Sequence, residues 1–194
     1  MPRSQRRLDK IRTVLGSRQP DLTVVLENIH DPHNVSAILR SCDAVGILRV
    51  ELLYTLEKFP RIGKKSSSSA SKWIASRKHK SVDQCYSLLH EEGYTVCATH
   101  LGESSVSVYD LDLTRKVALV FGNEHRGVSN EASAKADRNF RIPMMGMIQS
   151  LNVSVACAVS LYEALRQRLA GGGFDTPKLS EKELTDLYAD WIER

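Results

Sequence analysis

Gly122, Glu124, Gly146, Ser150 and Asn152 are the residues of this chain whose types and positions promise chemistry. Each falls in a turn that follows an apolar run of strand length. The run 117–121 (VALVF) stops at Gly122, with Glu124 and Gly127 on the turn. A shorter strand, 140–142, is ended by Pro143, which has no amide to give a ladder. In open parallel sheets ligands bind beyond the carboxyl ends of strands, so these two turns predict a pocket. Its titrating groups are few, which suits aligning reactants better than extensive acid–base work. Taken singly, Glu124 also reads as an ion-pair partner and the glycines as ordinary turn residues.

Other chemistries find less support. The six histidines have no HxxxH or HExxH spacing, so no metal site is predicted. Cys42, Cys85, Cys97 and Cys157 lack CxxC spacing and sit in apolar patterns, which predicts buried thiols in a reducing compartment. No GxGxxG follows a strand, and Ser69-Ala-Ser-Lys72 matches SxxK only within low-complexity sequence. Arg40 is different. It lies in an otherwise apolar helix, 35–45, and needs a carboxylate, a phosphate or solvent to face. Asn34 reads as the N-cap of that helix and Gly46 as its C-terminal stop.

The elements that must position these residues alternate between strand and helix. Strands are predicted at 23–26, 49–55, 73–76, 94–99, 117–121 and 140–142. Ser81 with Gln84 opens a helix closed by Gly93, and Ser129 caps a short one. A long helix starts at Ser150, with Asn152 in its first turn. It is apolar nearly all round from Val153 to Leu165, which predicts burial in the core or against another subunit. The pattern is an α/β fold, a mostly parallel sheet with helices on both faces.

Two helical extensions flank it, at 1–20 and 171–194 around a body at 21–170. Leu8, Ile11, Val14 and Leu15 make one stripe; Leu184, Leu187, Tyr188, Trp191 and Ile192 make another, and the two predict mutual packing. Gly171 to Gly173 reads as a hinge, and Ser180 with Glu183 as a capping box.

The net charge of +4 is concentrated. Residues 1–20 hold Arg3, Arg6, Arg7, Lys10, Arg12 and Arg18 against Asp9 alone, leaving the rest near neutral. A second basic stretch holds Lys58, Arg61, Lys64, Lys65, Lys72, Arg77, Lys78 and Lys80. Such segments suit a polyanion, nucleic acid first, or merely a solvated arm. The Ser/Lys stretch 58–72 either meets RNA backbone or stays in water. With no apolar run of about 20 residues, no membrane span is expected, and the basic N-terminus lacks a secretory pattern. The expected location is the cytoplasm.

The segments FGNEHRG (121–127), IPMMGMIQSLNVSVA (142–156) and NVSAILRSCDAVG (34–46) resemble the three ordered motifs of the knotted SPOUT RNA methyltransferases. The likeness spans essentially the whole chain and is closest to the branch that methylates tRNA ribose. It implies a deep trefoil knot in the C-terminal third, which pattern reading alone cannot supply. It implies S-adenosylmethionine among Thr99, Gly122, Ile142, Met144 and Leu151, with main chain at Ile142 and Leu151 reading the adenine edge. It implies catalytic roles for Asn34, Arg40, Glu124, Ser150 and Asn152, and a homodimer. Family accounts make Arg40 the base for the ribose 2′-hydroxyl. A guanidinium pKa of roughly 12 or more instead suits a bidentate phosphate clamp. The implied activity is 2′-O-methylation of guanosine 18 in the tRNA D-loop. Ribosomal RNA is the alternative substrate, and a non-catalytic RNA-binding factor the alternative of another class. Backbone contacts to tRNA are expected from Arg6, Arg7, Lys10, Arg12, Arg18, His33, Arg166 and Arg168.

Overall fold

Seven parallel strands form one sheet in the order β3-β2-β1-β6-β4-β7-β5. They are β1 (Leu22–Glu27), β2 (Arg49–Leu53), β3 (Ala75–His79), β4 (Thr95–Thr99), β5 (Val106–Ser107), β6 (Val117–Phe121) and β7 (Arg138–Arg141). The computed structural model describes residues 4–60 and 70–194. Arg3, and the 61–69 portion of the Ser/Lys stretch with Arg61, Lys64 and Lys65, lie outside the described residues.

β1 and β6 lie side by side at the centre, and every residue of both is buried. A strand covered on both faces must be apolar at consecutive positions, hence the unbroken runs in the sequence. Alternation then sorts the side chains between two layers. Val24, Leu26, Leu119 and Phe121 pack with α2 (Pro32–Ala44) and α5 (Val153–Ala170). Val25, Ala118 and Val120 pack with α3 (Val82–Glu91) and α4 (Asn130–Lys135). The predicted helices on both faces are therefore present. All four cysteines are buried free thiols. Burial, together with a hydrogen bond that the protonated Cys157 donates to Cys42, pushes the Cys157 thiol well up.

Several boundaries moved, for local reasons. Asp31 caps α2 by accepting from the His33 amide, with Pro32 next, so Asn34 lies inside the first turn and its side chain is released. Asn152, not Ser150, caps α5, accepting from the Ser154 amide at 2.8 Å. β3 starts only at Ala75 because Trp73 turns away to meet Trp191, ring centroids 4.9 Å apart. β5 was not predicted; two residues are too short to show a period.

At one end α1 (Gln5–Gly16) docks on α6 (Glu181–Glu193) through Ile11, Leu15 and Trp191, as the two stripes predict. The Ser180–Glu183 capping box is complete.

Two arginines expected on RNA are spent inside the fold. Arg18 is buried; it donates to the Ile47 carbonyl at 2.8 Å and to Asp43 at 2.6 Å, and lies over the Trp191 ring. Arg168 is buried too. Its guanidinium donates to the carbonyls of Leu113, Asp21 and Arg115, to the Gln19 side chain and to the Asp21 carboxylate. Position near a basic segment suggested exposure; a buried guanidinium stays only where acceptors surround it, and here they do. Arg77 of the second basic stretch is also engaged, bridging buried Glu51 and Glu92 beside Arg49 and His79. Burial pushes the Glu51 carboxyl up, but the His79 and Arg77 hydrogen bonds and the arginine charges outweigh it and hold it below its usual value.

Arg168→Gln leaves Asp21 and several carbonyls short of a donor. It is expected to cost about 3–5 kcal/mol of stability, read from urea unfolding without RNA. An unchanged midpoint would return Arg168 to the surface.

Candidate functional site

Leu26 sits opposite Phe121 and Thr99 opposite Phe140, so β1, β6, β4 and β7 release their chains on the same edge of the sheet. Four reversals meet there. The turn after β6 is the tightest. A Cβ on Gly122 would lie 2.1 Å from the Gly127 carbonyl carbon and from the Val128 nitrogen, so the chain folds directly back over this residue. Gly127 has φ +69° and donates its amide to the Asn123 carbonyl at 2.8 Å. Nothing lies within 4 Å of a Cβ built on Gly146, so this geometry makes no comparable demand there.

Buried Asn123 fixes the turn. Its amide donates to the Asn28 carbonyl at 2.8 Å and its oxygen accepts from the amides of His125 and Arg126. Asn28 has φ +51°, a conformation Asn tolerates better than most residues. Its side-chain oxygen accepts from the amides of Thr55, Leu56 and Glu57. Sequence reading missed both asparagines; their signal was a polar residue within two positions of the end of a buried strand.

Glu124 joins the turn after β6 to the turn after β1. One oxygen accepts from the His30 amide at 2.9 Å; the other accepts from the Asp31 amide at 3.1 Å and from Asn34 Nδ2 at 2.8 Å. Asn34 Oδ1 accepts in turn from Asn152 Nδ2 at 3.2 Å, and Asn152 Oδ1 accepts from Ser154. The two Asn-Val-Ser helix starts thus meet at one point. Burial raises the Glu124 carboxyl, but the hydrogen bonds from Asn34 and from the amides of His30, Asp31 and Glu124 itself prevail and hold it below its ordinary value. At neutral pH it is a carboxylate with its lone pairs engaged.

A cavity of about 660 Å³ opens between these turns. Thr99, Gly122, Ile142, Met144 and Leu151 line it, as do Glu124, Ser150 and Asn152. Phe121, Phe140, Val153 and Ala156 give it apolar wall; Phe121 and Phe140 meet edge to face at 6.2 Å. His100, Arg126 and Arg141 also line it and were not predicted. Arg126 is held at 2.8 Å by Glu57. Among the described residues no three His, Cys, Asp or Glu side chains converge as metal ligands would.

The structure does not bring Arg40 into this cavity. Six residues beyond Asn34 on a helix is about 9 Å along the axis and on another face. Arg40 is exposed and lines a separate depression with Ala37, Ser41, Ala44 and Tyr162. The remaining predicted cations lie elsewhere. Arg6, Arg7 and Lys10 are exposed on α1, as is Arg12, which lies 3.4 Å from Asp9 and over the Tyr188 ring. His33 is exposed beside Asn34. Arg166 is exposed but paired with Glu163 at 2.8 Å.

The sequence profile described as "SpoU rRNA Methylase family" matches residues 21–162. The chain is 46% identical over 192 residues to a Thermus thermophilus protein named tRNA (guanosine(18)-2′-O)-methyltransferase, covering 99% of this chain and 98% of that one. The crystal structure of the A. aeolicus TrmH/SpoU tRNA modifying enzyme superposes with a TM-score of 0.90 at 40% identity, covering 96% and 95% of the two chains. The SpoU methyltransferase AviRb from Streptomyces viridochromogenes, in complex with AdoMet, superposes at 0.71 with 25% identity, over 88% and 67%.

Gly122→Ala and Gly127→Ala separate two demands on this loop. Alanine at 127 meets open space and carries only the cost of its positive φ, about 1–2 kcal/mol. Alanine at 122 must displace backbone and is expected to lose roughly 3 kcal/mol or more. Equal losses in thermal melts would show that the loop does not close on Gly122.

Proposed function

The chain belongs to the SpoU rRNA methylase family, and on that premise we propose that it transfers a methyl group from S-adenosylmethionine to the ribose 2′-hydroxyl of guanosine 18 in the tRNA D-loop. The observation that carries this reading is the cavity where the carboxyl ends of β4, β6 and β7 meet, with the Glu124–Asn34–Asn152 chain at its rim. The name of the Thermus thermophilus relative, matched over 98% of its length, supports the substrate.

The cavity fits the donor. Its volume is that of a small-molecule site. Its wall at Phe140, Val153 and Ala156 offers an apolar bed for a purine, and Gly122 lets the loop 122–128 close tightly enough to shape the rim. Thr99, Gly122, Ile142, Met144 and Leu151 would hold it, and when bound it supplies a methyl group already activated on a sulfonium. The protein's task is then alignment. Glu124 holds Asn34 by one N–H, which leaves the other N–H of that amide for ribose. Asn152 fixes the Asn34 carbonyl oxygen, so the amide cannot flip. Ser150 lines the same wall with an exposed hydroxyl.

Arg40 would clamp an RNA phosphate and steady charge developing on the ribose oxygen. Its distance from the cavity in one protomer supports a homodimer. Val155, Tyr162 and Leu169 are exposed along α5, and Tyr162 lines the Arg40 depression. A second copy seated on that face would bury this apolar stripe and carry the partner subunit's Arg40 toward the donor cavity. Residues 21–170 are then the catalytic unit, flanked by the docked helices α1 and α6. After β7, outside β4, the chain returns in α5 to α2, the crossing where the family resemblance puts the knot. No described helix is long and apolar enough to cross a membrane, and the reading places the enzyme in the cytoplasm with its tRNA.

Incubation with radiolabelled methyl donor and unmodified tRNA transcript, followed by nucleotide mapping, tests the activity. The expected product carries one 2′-O-methylguanosine, at position 18; label confined to ribosomal RNA would overturn the substrate. In the same assay Arg40→Lys is expected to lower kcat by about 100-fold or more with donor Kd unchanged. Near-normal turnover would refute the bidentate clamp.

A further inference from the structure

We propose that Phe59, Lys78 and Lys80 form a second RNA-docking surface that grips phosphates flanking the target nucleotide. The proposal rests on the tRNA-methylation reading and extends it to residues outside the donor cavity and outside α1.

β3 is an edge strand, and its outward residues Ala75, Ser76 and Lys78 are exposed. Lys78 stands opposite Leu52 in the parallel register, and exposed Lys80 follows the strand end. Both ammonium groups converge on one phenyl ring. Lys80 Nζ lies 4.2 Å from the Phe59 centroid and Lys78 Nζ 5.1 Å. The ring also packs against the tilted Tyr54 ring, centroids 5.4 Å apart. Neither lysine has a carboxylate partner among the described residues, whereas Arg77, Arg126, Lys135, Arg166 and Lys178 each have one. Two like charges gathered on an aromatic face repel each other, and an anion is what such an arrangement lacks.

The patch belongs to the functional edge of the sheet. Residues 54–59 leave the carboxyl end of β2, and the Asn28 side chain pins Thr55, Leu56 and Glu57 to the end of β1. Glu57 then holds Arg126, which lines the cavity. One short segment therefore connects the ring to the cavity mouth. An RNA strand that presents a ribose there carries its neighbouring phosphates along this edge. Phosphodiester, with charge on each residue and no demand for sequence, is the partner that two ammonium groups and a flat ring fit.

The test compares wild type, Lys78→Gln/Lys80→Gln, Lys78→Arg/Lys80→Arg and Phe59→Leu. Binding of unmodified tRNA transcript is measured over a KCl series, alongside donor Kd, tRNA KM, kcat and thermal melting. In the glutamine pair the slope of log Kd against log salt is expected to fall by about 1–2 and KM to rise on the order of tenfold. Its kcat at saturating tRNA, donor Kd and melting temperature stay at wild-type values. The arginine pair keeps the wild-type slope, and Phe59→Leu shifts slope and KM in the same direction by less. An unchanged slope and KM in the glutamine pair overturns the surface. So does loss of binding to anionic phosphatidylserine vesicles with the RNA slope unaltered, which would assign the patch to a membrane. Failure of wild type to methylate tRNA sinks the parent reading instead, a result the variants do not enter.

Discussion

The carboxylate of Glu124 accepts from the amides of His30 and Asp31 and from the Asn34 side chain, ninety or more residues away in sequence, and the site depends on that fixture. A carboxylate with several donors is cheap to keep charged and expensive to move. It therefore orients Asn34, which Asn152 then locks from the α5 side. The N-termini of α2 and α5 are brought to one point by this chain of amides. Glu124, which in the sequence could equally be an ion-pair partner, here holds Asn34 and two main-chain amides in place.

Charge elsewhere in the fold is used in the same manner. Arg168 and Arg18 are buried because backbone carbonyls and carboxylates surround them, so they join segments far apart in sequence. Glu51 joins β2 to β3 through Arg77 and His79, and Arg49 and Arg77 reach on to Glu92 at the end of α3. A net positive charge therefore overstates the cation available to a partner. Among the described residues, the cations still open to an anion include those on the outer face of α1, Arg40, Arg141 at the cavity and the lysines around Phe59.

Much of this was legible in the residues. Continuous apolar runs marked β1 and β6 as central, and the Ser180–Glu183 box and the two terminal stripes predicted α6 and its docking on α1. The pocket position followed from where those runs stop. Other features were not legible, because they depend on contacts between distant segments. Local sequence makes Asn34 a cap, and only Asp31 and Pro32 together displace it into the helix. Arg168 looks like surface charge until Gln19, Asp21 and residues 113–115 are folded around it. Arg40 shows why helical phase matters: a residue within one motif of Asn34 lies on another face.

The docking of α1 on α6 carries a consequence for how the protein is made. The helix nearest the start of this sequence finds its apolar partner only in the helix nearest its end, with Trp191 shared between Leu15 and the Arg18 guanidinium. Because α6 follows α1 in the chain, the arginine-bearing helix is made before the partner that seats it. Long-range closure of this kind is slow relative to local helix formation. Until α6 is made those arginines sit on an unanchored helix, so the exposed cations of α1 take fixed positions only once α6 has docked.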